Sequence, residues 1–262
     1  MSDHVAEALR VMAFRFAELA STAPPDAPVS ATPGWSVTDV LGHVASEPAR
    51  YRELALGGGQ WPARAADLPA FNAAQIRDLA TRDPEKLAAQ VIADTDSLNE
   101  VIAGFGGEPR MMMFDGDQRI RADRARGTLL GEFVVHGYDI ARTVGKPWFI
   151  DPGHVPIIMD GLTQVIPGWV NASAASGHTA TYEYRLRGLG HRYLFCFRDG
   201  RLTVDPADPG PIDTRISVEP VTALLLNYGR ISPWWPALTG RVVAWGRKPW
   251  LAPGFSRRFL PA

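Results

Sequence analysis

The chain has 262 residues, enough for one large or two modest domains, and its 46% hydrophobic and 21% charged content excludes disorder as the default state. Formal net charge is −1, with acidic and basic residues scattered through both halves, so no basic patch marks a nucleic-acid or membrane-surface partner. No run of about 18 apolar residues offers a membrane span. The start, Met1-Ser2-Asp3-His4, lacks the cationic and continuous apolar segments of a secretion signal, and the single cysteine, Cys196, excludes an internal disulfide. The expectation is a cytoplasmic protein. Its basic residues are nearly all arginine (the lysines are Lys86, Lys146 and Lys248), a bias of composition and not of function.

Val5, Leu9, Met12, Phe16 and Leu19 recur at alternating spacings of four and three, which predicts a first amphipathic helix. Pro24, Pro25, Pro28 and Pro33 then break the chain into a loop. Ser36 with Asp39 three residues on forms an N-cap pair, where the usual capping box has Glu or Gln. It opens a helix through His43 that Pro48 is expected to kink or end. A loop containing Gly57-Gly58-Gly59 follows, and Asp83-Pro84 supplies a cap and a first-turn proline for a helix striped by Leu87, Val91, Thr95, Leu98 and Ile102. A fourth helix, over 125–143, carries Leu129, Phe133 and Ile140 and ends before Gly145. Four such helices predict an antiparallel bundle, and a fifth over 154–166 leads out of it.

After Gly177 the period changes to two. Ala180, Tyr182, Tyr184 and Leu186 alternate with Thr181, Glu183, Arg185 and Arg187, predicting a strand with one buried face. A second strand runs through Tyr193, Phe195 and Phe197, and Asp199-Gly200 is a hairpin turn leading into a strand over 201–204. A short strand over 212–218, a helix over 220–228 and a Trp-rich tail complete an α+β domain. The boundary is placed near 168–178, where Asn171-Ala172-Ser173-Ala174-Ala175-Ser176-Gly177 is small and polar, giving domains 1–170 and 178–262.

Two stretches carry chemistry. Gly131-Glu132-Phe133-Val134-Val135-His136 sets a carboxylate and an imidazole four residues apart, on one face of a helix. His43 lies just inside the well-signalled second helix. Together His43, Glu132 and His136 are a two-histidine, one-carboxylate set, the ligand count of a catalytic zinc with an open position. A Glu/His pair at this spacing is also an ordinary surface contact, and His43 alone reads equally as a core histidine. The apolar flanks Leu129, Leu130, Phe133, Val134, Val135 and Ile140 weigh toward metal, because a buried unpaired carboxylate is costly.

Lesser candidates surround these. Glu47, one turn past His43, reads as its partner, a base, or a partly exposed charge beside Pro48. Asp139 is placed to orient a ligand or cap a neighbouring loop. Met111-Met112-Met113 reads as gap-filling or a mobile apolar loop, since a thioether copper site is unsupported by cysteine. His4, His154, His178 and His191 are read as solvent-facing.

The stretches Gly34-Trp35-Ser36-Val37-Thr38-Asp39-Val40-Leu41-Gly42-His43, Gly131-Glu132-Phe133-Val134-Val135-His136-Gly137-Tyr138-Asp139-Ile140-Ala141 and Tyr228-Gly229-Arg230-Ile231-Ser232-Pro233-Trp234-Trp235-Pro236-Ala237-Leu238-Thr239-Gly240-Arg241 resemble the mycothiol-dependent maleylpyruvate isomerase family. The resemblance spans nearly the whole chain. It implies a DinB-like four-helix bundle followed by a small sterol-carrier-like α+β domain, with zinc or another divalent metal held by His43, Glu132 and His136. It also implies an anion-binding arginine in the C-terminal domain. Arg241 and Arg230 are the candidates, each following a glycine, with forks suited to a substrate carboxylate. Trp234 and Trp235 would line a pocket or pack a turn.

Cys196 falls in a strand and reads as a packing residue, so sulfur chemistry would need a thiol brought by a small molecule. A thiol that coordinates a metal is deprotonated outright. The resemblance thus implies a mycothiol-using isomerase or S-transferase acting on a small electrophile such as a maleylpyruvate-like unsaturated acid, as monomer or homodimer. The alternatives are a non-catalytic binding protein for a small apolar ligand and a metal-dependent hydrolase.

Overall fold

The computed structural model describes residues 3–62, 64–114 and 118–260. The chain divides into two compact units, the first running to Ile150 and including Ile157–Leu162, the second formed by Asp151–Pro156 and the chain from Thr163 on.

The first unit is helical. It contains α1 (His4–Thr22), α2 (Val37–Ala55), α3 (Leu68–Arg77), α4 (Pro84–Gly104), the strands β1 (Met111–Phe114) and β2 (Gln118–Arg121), and α5 (Ala122–Thr143). Helices α1, α2, α4 and α5 make the bundle, with α1 and α2 each packed on both α4 and α5. The expected stripes meet inside: Leu9, Phe16, Val40, Leu41, Val44, Val91, Leu129 and Phe133 are fully buried, and the Phe16 and Phe133 rings stack at 6.1 Å. Asp3 and Asp83 cap α1 and α4 through their carboxylates.

Helix α2 begins as expected and ends differently. Ser36 Oγ accepts from the Asp39 N–H at 3.2 Å while Asp39 Oδ2 accepts from the Ser36 N–H at 2.8 Å, so an aspartate closes the capping box. Pro48 does not end the helix, which continues to Ala55. Proline forfeits one helical hydrogen bond, but Leu41, Val44, Tyr51 and Leu54 are buried on either side of it, and that packing holds the helix together.

Three further elements of this unit escape the periodicity. Helix α3 buries only Ile76, too little to make a stripe. Strands β1 and β2 form an antiparallel ladder pairing Met111 with Arg121 and Met113 with Arg119. The methionine run is therefore a strand, not a mobile loop: Met112 is buried while Met111 and Met113 are exposed. Three identical residues conceal an alternation of environment.

Helix α6 (His154–Val165) follows, and its Ile157–Leu162 stretch lies against α5. The two backbones approach so closely at Gly127 and Gly161 that a Cβ on Gly161 would stand 2.9 Å from Gly127 C and 3.0 Å from Arg124 O.

The second unit is built on a five-stranded sheet. Its elements are α7 (Ala172–Ala175), β3 (Ala180–Leu186), β4 (Arg192–Arg198), β5 (Arg201–Val204), β6 (Thr214–Val218), α8 (Pro220–Asn227), α9 (Trp234–Leu238) and β7 (Val242–Gly246). The strand order is β5-β4-β3-β6-β7, with β3 and β6 parallel and the other neighbours antiparallel. Asp199 and Gly200 both take positive φ, 49° and 79°, the backbone of a tight I′ hairpin turn. A Cβ at Gly200 would also stand 2.7 Å from Ala175 O, so glycine is required twice over.

Tyr184 pairs across to Tyr193 and Ile216, and Phe255 from the tail sits 4.9 Å from Tyr182 and 5.3 Å from Phe195. The opposite face is covered as well. Glu183 is 1% exposed beneath Arg185, Arg192 and Arg215, which approach it at 2.8, 3.3 and 3.0 Å. Cys196 is buried in β4, and burial pushes its thiol up, as expected of a packing residue. His4 and His191 are exposed, but His154 and His178 are half-buried. His178 Nε2 lies 2.9 Å from the Tyr182 hydroxyl and its ring 5.3 Å from Phe197, a contact that strand pairing creates. No described helix is long and apolar enough to cross a membrane.

Candidate metal centre

The capping box starts α2 at a fixed residue, Ser36, which sets His43 on the inward face about two turns later; α5 carries Glu132 and His136 opposite it. One ligand atom from each of the three side chains lies within 4.8 Å of the others. Both imidazoles turn Nε2 toward the same carboxylate oxygen: Glu132 Oε2 is 3.6 Å from His43 and 3.2 Å from His136. The rings stand nearly perpendicular, at 86°, with centroids 5.5 Å apart. Ligands at about 2.0–2.1 Å around a tetrahedral ion stand roughly 3.3 Å from each other. The two observed spans bracket that value, so each imidazole nitrogen stands from the carboxylate oxygen as two ligands of one small divalent ion would.

Burial and charge agree with this. The side chains of His43 and His136 are 6% and 10% exposed, while Glu132 is 26% exposed and marks the open side. Burial works against the Glu132 charge, but His136 and His43 outweigh it and hold the carboxyl well below its usual range. Burial likewise opposes the His136 imidazolium, and Asp139 with Glu132 outweighs it, pushing this histidine up to about 9. Glu132 is thus held as a carboxylate, the form that can ligate a cation.

Three groups lie on the far sides of the imidazoles. Asp139, buried, places Oδ2 3.4 Å from His136 Nδ1, on the side of the ring away from Glu132. Gln75 Oε1, from α3, lies 3.4 Å from His43 Nδ1. Glu47 Oε1 is 3.8 Å from that nitrogen and 2.9 Å from Arg50 Nη1. Glu47 is not partly exposed: its side chain is 4% exposed, and burial pushes its carboxyl up despite Arg50. The helix continuing past Pro48 is what encloses it. Arg50 in turn rests against Trp61 and Phe71, its Cζ 4.9 and 4.7 Å from their ring centroids. Sequence reasoning missed Gln75 and Arg50. Arg50 was findable, three residues from Glu47 and seven from His43 on one helix face; Gln75 belongs to the helix that shows no periodicity.

The arginines singled out in the tail belong to the second unit. Arg241, 56% exposed, holds Nε 3.6 Å from Glu219 Oε2. Arg230 follows α8, and its Nη1 donates to Tyr228 O at 2.6 Å. Trp234 and Trp235 open the short helix α9, not a turn, and are exposed.

Fold and site thus define a helical bundle with an inward His-Glu-His set, continued by a sheet-containing domain. Residues 5–141, more than half of the chain, match the family model of the mycothiol maleylpyruvate isomerase N-terminal domain, and the chain belongs to that enzyme family. Among solved structures it is similar to a mycothiol-dependent maleylpyruvate isomerase, with 14% identity, TM-score 0.57 and 92% of each chain covered. A histidine-to-alanine mutant of a mycothiol-dependent maleylpyruvate isomerase is similar to the same degree, at 13% identity and TM-score 0.56 with 92% of each chain covered. These likenesses establish a shared fold over nearly the full length. No curated protein matches the chain.

Proposed function

We propose that this protein is a zinc-dependent, mycothiol-using isomerase or S-transferase of the cytoplasm, acting on a small unsaturated acid of the maleylpyruvate type. The observation that carries the reading is the approach of His43 Nε2 and His136 Nε2 to one oxygen of Glu132, at 3.6 and 3.2 Å, in a member of this family. A divalent ion with an open position supplies a thiolate at neutral pH, and reversible thiol addition to a cis double bond frees that bond to rotate.

The protein's own part is to bind and orient. His43, Glu132 and His136 would hold the ion, and Asp139, 3.4 Å from His136 Nδ1, would orient that ring. The buried imidazoles keep water from one side, while the part-exposed Glu132 marks the side from which thiol and substrate approach. The thiol comes from outside, because Cys196 is buried in a strand and pushed toward the inert protonated form. Arg241 and Arg230 remain the residues proposed for the substrate carboxylate, through the planar fork of guanidinium.

Metal analysis of the purified chain, with calorimetric titration of mycothiol into wild type and His43→Ala, tests this. The expected result is one divalent ion per chain and thiol binding that the substitution abolishes. A wild type that takes up neither zinc nor mycothiol would overturn it.

A further inference from the structure

The two histidines of the centre are backed by different kinds of group. His136 has a carboxylate, Asp139, from its own helix. His43 has two acceptors within reach of Nδ1, the neutral amide oxygen of Gln75 at 3.4 Å and Glu47 Oε1 at 3.8 Å. Glu47 is the farther of the two, and it is drawn aside by Arg50 Nη1 at 2.9 Å. The Arg50 guanidinium is itself kept in place by Trp61 and Phe71.

Helix α3 explains how Gln75 comes to be there. Phe71 and Gln75 are four residues apart, so they share a helix face. Phe71 meets Arg50 and Gln75 meets His43, so α3 runs antiparallel along α2 between His43 and Arg50. The helix buries only Ile76. Its contribution to the core is small, while its inward face ends on the ring of a metal ligand.

We propose that Gln75 is a positioning residue of the metal centre. It accepts the Nδ1 proton of His43 and thereby fixes the tautomer whose Nε2 lone pair faces Glu132. An imidazole that binds metal through one nitrogen almost always donates its other N–H to an oxygen, and the oxygen sets ring orientation and tautomer. The amide orientation follows from the same requirement. Were the Gln75 NH2 turned toward Nδ1, that nitrogen would have to accept, Nε2 would carry the proton, and the ligand position would be closed. The inference rests on the metal reading given above and adds a residue from a third element, α3, to a site otherwise built by α2 and α5.

The experiment is zinc affinity of the full-length protein, measured by competition with a chromogenic chelator for wild type, Gln75→Leu and Gln75→Glu. Gln75→Leu, which fills the space but cannot accept the proton, is expected to weaken zinc by about 10- to 100-fold. Gln75→Glu, which offers an oxygen at the same reach, is expected to restore it. Cobalt(II) in place of zinc should show a shifted visible spectrum in Gln75→Leu and a near wild-type one in Gln75→Glu. Should Gln75→Leu fail to fold, Gln75→Asn carries the test, because it withdraws the oxygen while keeping the amide, and the same loss is expected. Equal zinc affinity in wild type and Gln75→Leu (or Gln75→Asn), or equal losses in Gln75→Leu and Gln75→Glu, would refute the assignment while leaving the metal centre standing. A wild type that binds no zinc would bring down the metal reading itself and this inference with it.

Discussion

Gly127→Ala sets two effects of opposite sign against each other, and the structure decides between them. In the middle of a helix, replacing glycine by alanine is ordinarily stabilising by about 1 kcal/mol, through backbone entropy and helix propensity. Gly127, however, faces α6 at the close crossing. A Cβ there would fall well inside contact distance of Ile157 O and stand 3.1 Å from Gly161 N. Both neighbours are backbone, so no side chain can turn away, and relief requires moving the two helices apart. A gap of about 1 Å forfeits up to half of the dispersion energy of the atoms lining it. Overpacking of this kind costs about 1–3 kcal/mol, and more where the backbone must shift. The cost exceeds the gain, and a net loss of about 1–2 kcal/mol is expected. At about 2–4 °C per kcal/mol for chains near this size, the thermal midpoint should fall by roughly 2–8 °C in scanning calorimetry. Gly161→Ala probes the same crossing, so the double variant should lose less than the sum of the single losses. A Gly127→Ala protein that melts higher than wild type would refute the reasoning.

The second unit gives a pH-dependent prediction. Burial alone would raise the Glu183 pKa, but Arg185, Arg192 and Arg215 outweigh it and hold the carboxyl below its ordinary value of 4.5. The stability this contributes is fully present above pH 4.5 and is lost as pH falls through the depressed folded value. Urea titrations at stepped pH should show wild type losing stability on acidification more steeply than Glu183→Gln, and parallel curves would refute the linkage. At the start of α2, Ser36→Ala removes the acceptor for the Asp39 N–H and should cost about 1 kcal/mol, read as a lower thermal midpoint. No change would show that the capping box does not hold the helix that carries His43.

Much of the centre is legible in the sequence. His43, Glu132 and His136 stand out because two lie at one-turn spacing in an apolar helix and the third follows a capping signal, both local features. Asp139 is legible for the same reason, three residues from the histidine it faces. Gln75 is not, since its partner lies on another helix and its own helix buries too little to leave a stripe. Glu47 is legible as a neighbour of His43, but its burial is not, because a break at Pro48 would put it near an exposed end. Packing of residues beyond the proline holds the helix intact and closes it over.

The sequence by itself determined the elements whose hydrophobic period is strong, the caps that start α2 and α4, the hairpin at Asp199-Gly200 and the residue types of the candidate metal set. These depend on contacts a few residues long. The tertiary structure alone decided that β3 and β6 pair in parallel, that the methionine run is a strand, and that the inner face of α3 meets the centre. It also decided that Glu183 is buried under three arginines. Each of these depends on partners far apart in the chain, and their distance and register are set by packing, which local periodicity does not encode.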